Sequence, residues 1–255
     1  FELPALPERV IIIGAGYVGL VSGACFADCG HEVTCVDLDA AKVAAINAGR
    51  SPIHEEGLAA ILTRTVGRTL RAVTDLRSGL LGADLVMVAV GTPFANGKID
   101  LAQILGAATQ IGQELKGADR FVSVIIKSTV IPGTTDGPFR EALERHSGLR
   151  AGEGFGIGMN PEFLTEGTAV TDFNRPDRIV LGTLDERTRQ ILRELYRPWN
   201  ATPMIECNTR TAEMIKYASN AVLATMISYA NEISRLCEAI GDIDVVDVLD
   251  GVHQS

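Results

Sequence analysis

Lys216 and Asn220 stand four residues apart in Glu213-Met214-Ile215-Lys216-Tyr217-Ala218-Ser219-Asn220. On a helix that spacing points both side chains from one face. An ammonium beside an amide can hold a sugar or stabilise negative charge developing on oxygen. The same pair also suits a solvated helix face. A second constellation is Asn160-Pro161-Glu162-Phe163-Leu164-Thr165-Glu166-Gly167. Two carboxylates four residues apart beside a proline-led turn can supply a general base and a ligand contact. They would equally stabilise a helix N-terminus. The third is Gly14-Ala15-Gly16-Tyr17-Val18-Gly19, with Asp37 placed 18 residues after Gly19.

The elements around the glycines give them a purpose. An apolar run at 10–13 leads into the turn, a small-residue helix follows at 17–29, and a second apolar run at 33–36 ends on Asp37. Gly14 permits a tight turn, Gly16 lets backbone approach a pyrophosphate, and Gly19 lets the helix pack on the strand. The first-turn N–H groups and the helix dipole then face phosphate. Asp37 falls near the offset of about 20 expected for an acid that holds ribose hydroxyls. The unit therefore predicts a dinucleotide site. Asp37 and Asp39 oppose a 2′-phosphate, and no Arg lies nearby in sequence, so NAD is expected over NADP. Lys42 either sits one helical turn on beside the ribose or is a solvated helix residue.

Strand-like runs at 10–13, 33–36, 85–90, 121–126, 155–159, 178–181 and 203–205 alternate with helical stretches at 17–29, 39–48, 55–66, 100–115, 134–147 and 185–196. This alternation predicts an α/β fold, a doubly wound, mostly parallel sheet of Rossmann type with helices on both faces. The segment 160–167 then lies at the carboxyl edge, where ligands bind. Thr92 and Thr129 end strands at the same edge, placed for cofactor or substrate hydrogen bonds or as ordinary strand-end caps. Ser51-Pro52-Ile53-His54-Glu55-Glu56-Gly57-Leu58 reads as a proline turn entering a helix, and nothing makes His54 a ligand. The character changes after Cys207. From 211 to 240 there is no Gly or Pro, and Ile215, Ala218, Val222, Met226, Tyr229, Ile233, Leu236 and Ile240 recur at helical spacing. Some 30 residues of helix would run roughly 45 Å. A helix of that length commonly links domains or lies along a subunit interface.

The 255 residues carry a formal charge of −9, which argues against a nucleic-acid surface. No apolar run approaches the roughly 18 residues of a membrane span. Residues 1–7, FELPALP, are too short and too acidic for a signal peptide. The cysteines at 25, 29, 35, 207 and 237 have no metal-ligand spacing, so no metal is expected, and Cys25 and Cys29 read as buried thiols. A cytoplasmic location is expected. The chain starts without Met and stops just after a helical stretch, as expected of a piece of a longer protein.

Taken together, 14–20 (GAGYVGL), 36–39 (VDLD), 51–58 (SPIHEEGL), 91–93 (GTP), 127–130 (KSTV), 160–167 (NPEFLTEG), 176–182 (PDRIVLG) and 213–220 (EMIKYASN) resemble, in order, the UDP-glucose/GDP-mannose dehydrogenase family. The resemblance implies oxidation of the C6 hydroxyl of a nucleotide sugar to a carboxylate with two NAD per turnover, UDP-glucose being the commonest substrate. It implies that Gly14, Gly16, Tyr17, Val18, Gly19, Asp37 and Lys42 hold NAD, with Thr92, Thr129 and Glu166 closing around it. Glu162, Phe163, Leu164 and Thr165 would line the sugar-nucleotide site with Lys216 and Asn220. Glu162, or a water it orients, would be the base, Thr129 would join the catalytic group, and Lys216 and Asn220 would stabilise an oxyanion. Thr165 stands where Arg is frequent.

One departure matters more. The family's nucleophilic cysteine lies in a glycine-rich GGSCxPKD-like motif after the long helix, and no such motif occurs here. Residues 1–206 are therefore expected to form an NAD-binding domain and 207–255 the start of a central helical dimerisation domain, with the uridine-gripping domain and the catalytic Cys outside the chain. A homodimer or higher oligomer is implied. Three rival readings stand: a GDP-mannose 6-dehydrogenase, a two-electron hydroxyacid dehydrogenase, and a non-catalytic NAD-binding module.

Overall fold

The structure is a computed structural model that describes residues 8–80, 82–95 and 97–253. Residues 1–7, with the signal-peptide reading made of them, lie outside the described residues. β1 (Arg9–Ile13) buries four of its five side chains, as a run flanked on both faces must. α1 (Tyr17–Asp28) is buried from Gly19 to Ala27. β2 (Glu32–Val36), α2 (Ala40–Asn47), α3 (Leu58–Thr65), β3 (Leu70–Val73), α4 (Leu76–Leu80) and β4 (Leu85–Val88) follow. A hairpin of β5 (Phe94–Ala95) and β6 (Lys98–Ile99) precedes α5 (Ala102–Leu115) and β7 (Ser123–Ile126). Then come α6 (Arg140–Ser147), β8 (Gly156–Met159), α7 (Ala169–Asn174), β9 (Ile179–Thr183), α8 (Glu186–Leu195) and β10 (Met204–Cys207). The chain ends in α9 (Thr209–Ile240) and α10 (Val245–His253).

Eight strands form one sheet in the order β10-β9-β8-β7-β4-β1-β2-β3. β1 lies inside it. The chain first builds outward through β2 and β3, then returns to place β4 on the other side of β1. Ile13 is in register with both Val36 and Val88, so the loops after β1, β2 and β4 open at one edge. That reversal of strand order is the switch point at which open α/β sheets bind ligands.

The mostly parallel doubly wound sheet matches the sequence expectation. β9 runs antiparallel to β8, through Gly158 opposite Thr183 and Met159 opposite Gly182, and β10 runs parallel to β9. An antiparallel neighbour begins where β8 ends. The 160–178 connection therefore stays at the carboxyl edge instead of crossing back. α7, within it, packs on α1 through Phe173 and Phe26, whose ring centroids lie 5.1 Å apart.

Other details depart from the pattern. β3 was not expected, because exposed Arg71 interrupts its apolar run at the sheet edge. The helix expected from 55 begins at Leu58, because Gly57 turns the chain at φ +79°. The helix expected over 134–147 is broken by a π-type turn at Thr135–Phe139 holding Gly137 and Pro138, and regular helix starts at Arg140. The long helix starts two residues early, at Thr209. The chain divides into two compact units, one ending at Met214 and the other beginning at Ile215 within α9.

Candidate functional site

The glycine turn is tightly specified. Gly14 has φ +95°, and a Cβ there would meet the Ala89 carbonyl oxygen at 2.7 Å. A Cβ on Gly19 would lie 1.8 Å from the Gly14 carbonyl oxygen, so both positions need glycine for the backbone itself. Gly16 differs: a Cβ there would meet nothing within 4 Å. Its bareness leaves open space directly at the N-terminus of α1. Gly16 is the N-cap, no side chain caps that end, and no acid occupies the first turn. The positive end of the helix dipole therefore faces that space, as an anion site requires.

Asp37 stands beside this cradle at the end of β2. Its Oδ2 accepts from the Ala15 N–H at 2.9 Å and its Oδ1 from the Asp39 N–H at 2.9 Å. Lys42 Nζ lies 3.7 Å from Asp37 Oδ2. Asp39 works mainly as the cap of α2, accepting from the Ala41 and Lys42 N–H groups. Leu38, between the two acids, is 87% exposed and offers an apolar surface at the same edge. The open cradle and the acid anchored next to it fit a dinucleotide with free ribose hydroxyls.

Two further loops meet at this edge. Thr92 Oγ1 donates to the Thr129 carbonyl at 2.8 Å, and Ser128 Oγ donates to the Val90 carbonyl at 2.7 Å. The ends of β4 and β7 are thus tied together. Val18, Thr92 and Thr129 keep partial exposure.

The 160–167 segment is a loop followed by a turn, so Glu162 and Glu166 do not share a helix face. Glu162 is half-buried and accepts from the Leu164 N–H at 2.7 Å, whereas Glu166 is exposed. Arg178 stacks over the Phe163 ring, 4.1 Å from its centroid. Thr165 N–H donates to Asp172 at 2.8 Å. A cavity of about 230 Å3 opens between this loop and residues 172–179. Lys127, 3% exposed, lines it and donates to Asn160 Oδ1 at 3.0 Å and to the Tyr196 hydroxyl at 3.3 Å. Burial pushes the Tyr196 hydroxyl well above the usual phenol range.

The residue that joins this loop to the glycine turn is Glu55, which sequence reasoning passed over. Tyr17 donates its hydroxyl to Glu55 Oε2 at 2.7 Å and stands 2.9 Å from the Thr165 carbonyl. Burial works against ionisation of Glu55. Hydrogen bonds from Tyr17, Gly167, Ala169 and Val170 outweigh it, so the carboxyl sits below its usual range. Burial, with Glu55 next, pushes the Tyr17 phenol upward. A second buried acid was also missed. Glu213 accepts from Gly133 N–H at 2.6 Å, Thr135 N–H at 2.7 Å and Thr135 Oγ1 at 2.6 Å, which anchors the root of α9.

Lys216 and Asn220 lie one helical turn apart on α9, in the second compact unit. The other candidate residues gather in the first unit, at or beside the carboxyl edge. The cysteines are free thiols. Burial pushes both Cys25 and Cys35 up to about 12 and raises Cys207, and partial desolvation with the Asp28 charge raises Cys29. Cys29 is exposed at the end of α1, contrary to the buried thiol expected there.

An open helix N-terminus and an anchored acid at the switch point of this sheet define a fold of the dinucleotide-binding Rossmann type. Residues 8–200 match the NAD binding domain of the UDP-glucose/GDP-mannose dehydrogenase family and residues 210–255 its central domain, so the chain belongs to that family and carries its NAD-binding domain. It is 44% identical over 246 residues to UDP-glucose 6-dehydrogenase AglM of Haloferax volcanii, covering 94% of this chain and 57% of that protein. It is 41% identical over 249 residues to GDP-mannose 6-dehydrogenase of Pseudomonas aeruginosa, covering 96% and 56%. Among solved structures, a ternary complex of GDP-mannose dehydrogenase from Pseudomonas aeruginosa superposes with TM-score 0.94 at 39% identity, covering 97% of this chain and 57% of that one. A UDP-glucose dehydrogenase from Pyrobaculum islandicum gives 0.92 at 36%, covering 99% and 58%. The chain thus spans a little over half the length of these relatives.

Proposed function

We propose that this chain is the cofactor-binding part of an NAD-dependent nucleotide-sugar 6-dehydrogenase, with UDP-glucose as the preferred substrate. One observation carries the reading: the glycine turn and the 160–167 loop meet at one sheet edge, where the Tyr17 hydroxyl stands 2.9 Å from the Thr165 carbonyl. When bound, each NAD accepts two electrons and one proton. Gly14, Gly16, Tyr17, Val18 and Gly19 cradle its pyrophosphate, and Asp37 with Lys42 holds the ribose. Thr92, Thr129 and Glu166 close over it. Glu162 takes the C6 hydroxyl proton, directly or through a water, with Thr129 beside it. Phe163, Leu164 and Thr165 line the sugar, and Lys216 and Asn220 stabilise negative charge on the C6 oxygen.

Overall, one CH2OH and one water become one carboxylate as four electrons leave. The second step needs a thiolate nucleophile. Burial raises Cys25, Cys35 and Cys207, partial desolvation and the Asp28 charge raise Cys29, all of which disfavours their thiolates, and Cys237 is buried. We therefore assign that nucleophile, and the domain gripping the nucleotide, to a part of the protein outside these 255 residues. Residues 1–206 are assigned to the NAD-binding domain and 207–255 to the start of a helical dimerisation domain. Exposed Val222, Met226, Tyr229, Leu236 and Ile240 on α9 support a homodimer. Free thiols support a cytoplasmic location.

The test is turnover of the full-length protein with UDP-glucose and with GDP-mannose, counting NADH per product. Two NADH per uronate with UDP-glucose preferred is expected. Preference for GDP-mannose would transfer the substrate assignment. One NADH per product would point to a hydroxyacid-type dehydrogenase, and binding without turnover to a non-catalytic module.

A further inference from the structure

Glu55 is 7% exposed, yet its carboxylate draws donors from two separate parts of the candidate site. Oε2 accepts from the Tyr17 hydroxyl at 2.7 Å and from the Gly167 N–H at 2.9 Å, and Oε1 from the Ala169 N–H at 2.7 Å. Tyr17 is the first residue of α1, at the open cradle. Gly167 and Ala169 close the loop that carries Glu162 and Glu166 and open α7. Tyr17 is 38 residues from Glu55 in sequence, and Ala169 is 114. No local turn requires this convergence.

We propose that Glu55 is a positioning residue that fixes the glycine turn and the 160–169 loop in one geometry, so that the cofactor and sugar sites are set together. The proposal rests on the functional reading above. Glu55 touches neither reacting centre; it acts through Tyr17 and through the loop backbone. An ionised carboxylate accepts at both oxygens and donates at neither. A glutamine in its place would turn an N–H toward at least one of the donors, so even this isosteric change breaks the clamp. A residue serving one site alone would shift binding at that site. A residue holding both must shift both.

The experiment uses the full-length protein with Glu55→Gln, Tyr17→Phe and the double variant. It reads NAD dissociation constant, KM for the nucleotide sugar at saturating NAD, and amide hydrogen exchange. Glu55→Gln is expected to raise both constants by roughly tenfold, the scale of one charge-assisted hydrogen bond. Tyr17→Phe should raise both by less, and the double variant should be no worse than Glu55→Gln alone, because both act through one contact. Amides of residues 15–18 and of Gly167 and Ala169 should lose protection together. A change in only one constant, additive effects, or loosening of one segment alone would overturn the proposal. If Glu55→Gln does not fold, Tyr17→Phe decides by the same criteria. A wild-type protein that exchanges as expected but turns over no nucleotide sugar would sink the functional reading, while the exchange pattern still judges the clamp.

Discussion

Glu55 accepts from Tyr17, Gly167, Ala169 and Val170, and Glu213 from Gly133 and twice from Thr135, yet the fold treats their charges in opposite ways. Glu213 is wholly buried, and desolvation outweighs its hydrogen bonds, so its carboxyl is pushed above the ordinary 4.5. Glu55 keeps 7% exposure at a loop edge, and there the hydrogen bonds win, so its carboxyl falls below 4.5. Desolvation at the deeper acid and hydrogen bonds at the shallower one pull the two charges apart. The deep acid anchors the root of a helix. The shallower one joins two loops that are proposed to hold ligands, where a firmly ionised acceptor keeps the joint made at neutral pH.

Glu213→Ala gives the largest expected effect within this comparison. It strands three donors at a position closed to solvent, at a cost of about 3 kcal/mol by urea unfolding. Glu55→Ala should cost less, about 2 kcal/mol, because water can reach part of the vacated site. An equal or larger loss at Glu55 would break the depth argument. The pH dependences should have opposite signs. Glu55, depressed in the fold, contributes stability present above the unfolded value of 4.5 and lost as pH falls through its folded value. Glu213, raised in the fold, favours the native state below 4.5, and that contribution fades as pH rises through its folded value. Urea unfolding from about pH 3 to about pH 7 should therefore show Glu55→Gln flattening the acid side of the profile and Glu213→Gln flattening the opposite side. Parallel changes would contradict the pKa directions. The smallest effects are expected from removing one donor. Tyr17→Phe and Thr135→Val should each cost about 1 kcal/mol by thermal unfolding.

Most of the sheet was legible because buried parallel strands are continuous apolar runs, and the runs at 10–13 and 85–88 are unbroken. β3 was not, because a half-exposed edge strand tolerates Arg71. The reversal of β9 was not, because strand direction depends on the course of the 160–178 connection and not on composition. The glycine turn and Asp37 could be read because their spacing is local. Glu55 and Glu213 could not, because their partners lie up to 114 and 80 residues away and neither acid has a distinctive local pattern.

The central claim is that the edge of β1 and β2 is built for NAD. Calorimetric titration of the purified protein with NAD and with NADP tests it most directly. Tighter binding of NAD, with the gap narrowed in Asp37→Ala, is the predicted result, because the anchored Asp37 carboxylate opposes a 2′-phosphate. Equal affinities, or tighter binding of NADP, would contradict it.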